Sequence, residues 1–306
     1  MKTPKESRAS YEARIKIMSL LTNNKILELK KISNDIRQSI IEMLMEAKSG
    51  HTAGALGMAD IFTLFYFHIL KHNPKNPSWE ERDRLVLSNG HICPVLYATM
   101  AHSGYFPIEE LKTLRKFGTR LQGHPHKEYL PFVENSSGPL GEGLSQAIGM
   151  ALADRIDEKD GSTSLTTGRF IYCFVSDGEL DEGNSWEAIM FAGKRKLQNL
   201  ITIVDRNNIQ IDGNTEKIIP LEPLADKWRA FNWHVIEVSG HDFKSINEAV
   251  EEAKNVLEKP TVIIAHTIPG KGIKEFERDY KWHGIVPNKE QGEMALKELQ
   301  DIGTRL

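Results

Sequence analysis

An aspartate at 177 and an asparagine at 207, each in a polar turn after an apolar run, are the residues of this 306-residue chain whose types and spacing best suit chemistry. The first turn reads Ser176-Asp177-Gly178-Glu179-Leu180-Asp181-Glu182-Gly183; the second reads Asp205-Arg206-Asn207-Asn208-Ile209-Gln210-Ile211-Asp212-Gly213. A carboxylate, a side-chain amide oxygen and a turn carbonyl are hard donors, suited to a magnesium ion that keeps water and takes its remaining ligands from phosphate. One protein charge is a weak cage, so the set implies a diphosphate that completes it. Gly178 would let the backbone approach that phosphate, and the N-terminus of a following helix would add about 0.3 to 1 kcal/mol of favourable charge. Taken singly, Asp-Gly and Asn-Asn are ordinary turn chemistry. Spaced as they are across a strand, helix and strand, they point to one site at the carboxyl ends of neighbouring parallel strands.

Those turns need a scaffold. Apolar runs alternate with amphipathic stretches along the chain, which predicts an α/β protein: a mostly parallel sheet with helices on both faces. Strands are expected at 84–87, 170–175, 200–204, 234–238 and 261–265, each short, rich in β-branched residues and bounded by Gly, Asn, Asp or Pro. Helices are expected at about 35–48, 59–70, 92–102, 108–116, 143–156, 185–192, 221–231, 243–257 and 289–300. Residues 1–25 read as an N-terminal arm, 26–306 as one domain, and 157–167 as a polar surface loop.

Composition narrows the partners. Against 39 Lys and Arg stand 42 Asp and Glu, so the net charge of −3 provides no bulk positive field for a nucleic acid. Cys93 and Cys173 lie in apolar stretches without a CxxC partner and read as reduced core residues. The charged N-terminus lacks the apolar run of a signal peptide, and no segment reaches the roughly 18 apolar residues that span a bilayer. The expectation is a cytoplasmic protein that meets neither membrane nor nucleic acid. A nicotinamide Rossmann reading fails because no GxGxxG follows the first expected strand.

Further motifs run along the chain: Ser49-Gly50-His51-Thr52-Ala53-Gly54, Leu87-Ser88-Asn89-Gly90-His91, Gly123-His124-Pro125, Ser137-Gly138-Pro139-Leu140-Gly141-Glu142-Gly143, Pro269-Gly270-Lys271-Gly272 and Trp282-His283-Gly284. With the Asp177-to-Asn207 signature they resemble the thiamine-diphosphate enzymes, and more closely the N-terminal, diphosphate-binding half of transketolase, over roughly residues 30 to 300. The resemblance implies a thiamine-diphosphate-binding fold and two cofactors, thiamine diphosphate and Mg2+ (or Ca2+ or Mn2+). It implies metal binding by Asp177, Asn207 and the Ile209 carbonyl, and cofactor contacts from His91, Gly138, Pro139, Leu140, Asp177, Gly178, Glu179, Glu182, Asn207, Ile211 and His283. His51, His91, His124 and His283 become the catalytic set, with His91 and His283 near the diphosphate or reacting carbon and His51 and His124 on ketose hydroxyls. Imidazoles suit that work because they donate and accept hydrogen bonds and relay protons near neutral pH. His68, His72, His102, His126, His234, His241 and His266 read instead as capping or packing residues.

The implied activity is transfer of a two-carbon ketol unit from a ketose, expected to be phosphorylated, to an aldose, as in carbohydrate metabolism of the pentose phosphate kind. The sequence ends at Leu306. The resemblance then implies a partner chain, a C-terminal transketolase subunit carrying the pyrimidine-binding domain and the glutamate that activates the cofactor, in a heterotetramer of two plus two chains. Other thiamine-diphosphate chemistry (deoxyxylulose phosphate synthesis or an oxo-acid dehydrogenase component) and a non-catalytic scaffold are the alternatives. Two departures stand out: Ser176 replaces the first glycine of the family's Gly-Asp-Gly, which could restrict φ and shift the turn, and Thr52-Ala53 replaces Pro-Gly after the first histidine.

Overall fold

The computed structural model describes residues 21–159 and 169–306. The expected N-terminal arm lies outside these residues as far as position 20, and a helix already begins at Asn23. Of the loop expected at 157–167, residues 157–159 close a helix and the remainder falls outside the described residues.

Helices α1 (Asn23–Ala47) and α2 (Ala53–Leu64) precede strand β1 (Arg84–Leu87), and α3 (Cys93–His102) and α4 (Glu142–Lys159) lead to β2 (Ile171–Ser176). Helix α5 (Gly183–Arg195) connects to β3 (Leu200–Arg206), followed by a small hairpin of β4 (Ile209–Gln210) and β5 (Gly213–Asn214) and by α6 (Thr215–Ile218) and α7 (Leu224–Ala230). The chain closes with β6 (His234–Ser239), α8 (Phe243–Lys254), β7 (Thr261–His266) and α9 (Lys289–Gly303). The main sheet has the order β1-β2-β3-β7-β6, every neighbouring pair parallel.

Strand residues alternate between two cores, as a pleat requires. Tyr172 and Phe174 of β2 pack with α1, α2 and α3, whereas Ile171, Cys173 and Val175 pack with residues of α4, α5 and α7. All of β2 and β3 is therefore buried, which is why each reads as a nearly continuous apolar run. The expected α/β architecture and its parallel strands are present, and Cys93 and Cys173 are free and buried. Among the described residues no helix is long and apolar enough to cross a membrane.

Three expectations need correction. The helix expected at 35–48 spans Asn23–Ala47, because Thr22 caps it by accepting a hydrogen bond from the Lys25 amide and Leu29, Ile36 and Ile40 continue one buried stripe. The helix expected at 59–70 begins at Ala53 and passes at Phe65–Ile69 into one wider π turn. The helix expected at 108–116 is a 3₁₀ segment over Ile108–Thr113. Its buried anchors, Leu111 and Leu114, are three apart, the repeat of the tighter helix, and positive φ at Arg115 (59°) turns the chain away.

Candidate active site

Because the strands are parallel, the loops leaving β1, β2, β3 and β7 gather at one edge of the sheet. Ser88 to His91 follow β1, Asp177 to Glu182 follow β2, Asn207 follows β3, and Thr267 to Gly272 follow β7.

His51 precedes α2, His91 precedes α3, His124 lies between α3 and α4, and His283 lies before α9, yet their rings meet. His51 lies 5.0 Å from His91, 5.7 Å from His283 and 6.4 Å from His124 by ring centroids, and His91 lies 5.0 Å from His283. Burial pushes the His51 ring down to about 4, with His283, Arg115 and His124 adding to the effect. Burial also holds His91 well below its ordinary value, assisted by His283 and His51; burial and Arg115 lower His124, and burial lowers His283. All four are neutral imidazoles at neutral pH, each with one donor and one acceptor nitrogen. The Nδ1 atoms of His51 and His283 are buried without a partner in the chain, as are both amide atoms of Asn89 and the Ser137 hydroxyl. Orphaned polar atoms so concentrated fit a ligand rich in hydroxyls.

The Thr52-Ala53 departure bears directly on this cluster. Thr52 is fully buried and its hydroxyl donates to the Ile285 carbonyl at 2.6 Å, while the Gly270 amide donates to the Ala53 carbonyl at 2.8 Å. Thr52-Ala53 thus ties the His51 turn to the segments carrying His283 and the loop after β7.

At the acidic turn, Asp177 Oδ1 accepts from the Gly178 amide at 2.8 Å, and Oδ2 accepts from the Asn208 amide at 2.6 Å and from Arg206 Nη1 at 3.0 Å. Asn207 donates its Nδ2 to Asp205 Oδ2 at 2.8 Å, which turns its Oδ1 the other way, where it accepts from the Ile209 amide at 2.9 Å. Gly178 is required by closeness: a Cβ there would lie 2.8 Å from the Gln210 Cβ and 3.7 Å from the Ile209 carbonyl oxygen. Asp177, Asn207 and Ile209 are thereby brought to one place.

Burial and the Asp205 charge push the Asp177 carboxyl up to about 7, against the pull of Arg206 and the Asn208 amide; burial likewise raises Asp205, to about 6. Two buried carboxylates held this high form a place that gains from a cation, and the donors present are oxygens of the right hardness. Among the described residues no trio of His, Cys, Asp or Glu gathers to hold a metal, so a cation here depends on amide and carbonyl oxygens and on a ligand's phosphates. The residues fit a magnesium diphosphate.

The remaining expected residues divide. Gly138 takes φ of 156°, which side-chain-bearing residues rarely adopt, and lies against the His124 ring. Pro139 is exposed and Leu140 half-buried on the same loop. Ile211, 63% exposed on the β4–β5 turn, reaches over Gly284 beside His283. Glu179 is fully buried and both its oxygens are taken by Ser88, Gly141 and Ser176, so it faces away from solvent. Glu182 is exposed beyond the turn. Ser176 belongs to β2, pairs with Asp205 in register and lacks positive φ, so its backbone takes a conformation open to any residue. Among the other histidines, His72, His102, His234, His241 and His266 have structural partners, as expected.

Sequence reasoning missed Arg206, Asp205, Thr267 and Arg115. Arg206 is 2% exposed and bonds Asp177, Thr215, Glu216 and Glu222; the one sequence signal is an arginine closing a buried apolar strand. Thr267 donates to Asp205 and so fastens the β7 loop to the end of β3. Arg115, in left-handed backbone, packs against Gly123 beside His124.

The sequence matches the family described as transketolase, thiamine diphosphate binding domain, over residues 29–300. A 6-deoxy-6-sulfo-D-fructose transketolase subunit from Clostridium sp. (strain MSTE9) is 43% identical over 277 residues, spanning 90% of this chain and 98% of the relative. An apulose-4-phosphate transketolase subunit from Phocaeicola vulgatus is 38% identical over 275 residues, spanning 90% of this chain and 94% of the relative. The structure of transketolase from Leishmania mexicana superposes with a TM-score of 0.84 at 33% identity, covering 90% of this chain and 41% of that one.

Proposed function

The chain belongs to the transketolase family, and on that premise we propose that it is the diphosphate-side subunit of a two-chain transketolase acting on sugars in the cytoplasm. The observation that carries the reading is the meeting, at one sheet edge, of the Asp177, Asn207 and Ile209 oxygens with four neutral imidazoles. Two relatives of nearly the same span are themselves described as transketolase subunits, which supports a partner chain; that partner would carry the pyrimidine-binding domain, in an assembly of two plus two.

Asp177, Asn207 and the Ile209 carbonyl would hold the divalent cation, and His91, Gly178 and the Gly138 to Leu140 loop would flank the diphosphate and pyrimidine. Thiamine diphosphate, when bound, supplies the nucleophilic carbon and the electron sink for moving a two-carbon unit from ketose to aldose. The chain's own part is positional and acid–base. Its low-lying imidazoles stay neutral, so His51 and His283 can take or return a hydroxyl proton at Nδ1, where neither has an internal partner. His124, bracketed by Gly138 and Arg115, would hold another hydroxyl. Ile211 over Gly284 would keep water from the reacting end.

The test is reconstitution. The purified chain, its partner, and the equimolar mixture are assayed with Mg2+, thiamine diphosphate, a ketose donor and an aldose acceptor, and separately with pyruvate. Ketol transfer by the mixture alone is expected, lost in His124→Ala. Pyruvate consumption without ketose cleavage would replace this reading with another thiamine-diphosphate activity, and full turnover in His124→Ala would reduce the chain to a scaffold.

A further inference from the structure

We propose that Glu179 is a positioning residue that locks the cofactor-side loops to one another and never touches the cofactor; this rests on the reading that the edge binds thiamine diphosphate. Its carboxylate is fully buried. Oε1 accepts from the Ser88 hydroxyl and from the Gly141 amide at 2.7 Å, and Oε2 accepts from the Ser176 amide at 3.2 Å. The Ser88 oxygen accepts in turn from the Gly143 amide at 3.0 Å.

These donors come from separate pieces of chain. Ser88 begins the loop that ends on His91; Gly141 and Gly143 close the segment holding Gly138, Pro139 and Leu140; Ser176 ends β2 immediately before Asp177. One side chain therefore sets the spacing between the histidine, the glycine loop and the metal-side aspartate.

The donor pattern explains why a carboxylate is required. Each of its oxygens faces a backbone N–H, Gly141 on one side and Ser176 on the other, and a backbone N–H cannot reverse its role. Glutamine in the same place would set its NH2 against one of them whichever way it turned, leaving a buried donor unpaired. A negative side chain already saturated by internal donors also has nothing to offer a diphosphate, which needs donors and cations. The Ser88 hydroxyl, held by Glu179, carries the same clamp on to the Gly143 amide.

The experiment compares wild type, Glu179→Gln, Ser88→Ala and the double variant, each as the full chain assembled with its partner. Thiamine diphosphate is titrated at saturating Mg2+, kcat and ketose KM are measured at saturating cofactor, and amide exchange is followed over residues 137–143. Glu179→Gln should weaken cofactor binding about tenfold or more, while ketose KM and saturated kcat stay within about twofold. Exchange protection over 137–143 should fall with it. Ser88→Ala should do the same to a smaller extent, and the double variant should add little to Glu179→Gln, since both act through one clamp. If Glu179→Gln does not fold, Ser88→Ala carries the test.

A hundredfold fall in saturated kcat with cofactor affinity unchanged would overturn the proposal by making Glu179 a contact of the reacting atoms. A lower melting temperature with cofactor affinity and 137–143 exchange untouched would overturn it too, leaving only a packing role. If wild type takes up no thiamine diphosphate, the proposed function itself falls, an outcome distinct from both.

Discussion

Replacing Asp177 by asparagine separates the proposed metal-binding role of this residue from its structural one. Asparagine keeps the shape and removes the charge. Its NH2 must stand at one of the two oxygen positions, and it does least damage toward Gly178, where it displaces a single donor; the Asn208 and Arg206 bonds then survive on the remaining oxygen. The unpaired Gly178 amide costs about 1 to 3 kcal/mol. Against that stands relief: the rise of the Asp177 pKa from 3.8 to about 7 corresponds to about 4 kcal/mol against the charged form, which an amide does not carry. Arg206 keeps Glu216 and Glu222 as counter-charges. The ligand-free chain should therefore unfold within a few degrees of wild type. Binding behaves differently, because the cation loses its charged protein donor. A charged contact of about 1.5 to 3 kcal/mol translates to roughly 10- to 100-fold weaker metal-dependent uptake of thiamine diphosphate. Calorimetric titration with Mg2+ and cofactor, beside thermal unfolding with and without them, reads both quantities. Metal-dependent affinity within twofold of wild type would refute the reasoning, and so would a ligand-free variant that no longer folds.

Thr52→Val keeps the side-chain shape but removes the hydrogen bond to the part-buried Ile285 carbonyl, so chemical denaturation should show a loss of about 0.5 to 1.5 kcal/mol, with ketose KM raised several-fold as the His283 segment loosens from His51; an unchanged KM would detach this bond from the site. Ser176→Gly should leave cofactor affinity unaltered and lower stability by about 0.5 to 1 kcal/mol, since Ser176 sits in ordinary strand backbone and glycine only adds unfolded-chain freedom; tighter cofactor binding would mean that the serine does distort the turn. Burial works to raise the Asp60 carboxyl, but Arg37 and His241 outweigh it and hold it well below the usual range. A carboxyl depressed on folding adds stability above its unfolded pKa of about 4, and that stability drains away as pH falls below it. Asp60→Asn should cost about 3 to 5 kcal/mol at pH 7, and urea titrations should show the gap to wild type narrowing toward pH 3.

Much of the site was legible in one dimension because it is made of local turn chemistry. Asp177-Gly178 and Asn207-Asn208 sit directly after the apolar runs that become β2 and β3, and parallel pairing of adjacent strands brings such turns together without further information. Residues 84–87 matched β1 at both ends because polar residues bound a short apolar run, whereas α1 began twelve residues earlier than expected, at 23 in place of 35, since its buried stripe runs back through Leu29 to the Thr22 cap. Residues 108–116 misled because three- and four-residue spacings look alike until the core selects Leu111 and Leu114.

Residue types, the order of strands and turns, and the apolar faces of the elements can be read along the chain, since apolar runs and periodicities of two and 3.6 residues are local. Folding alone brings His51 and His283, 232 positions apart in sequence, to 5.7 Å, turns Arg206 inward to Asp177, and spends Glu179 on Ser88, Gly141 and Ser176. The reason is physical: a buried charge or imidazole takes its partner and its proton affinity from atoms that close packing brings near, and sequence distance carries no measure of that proximity.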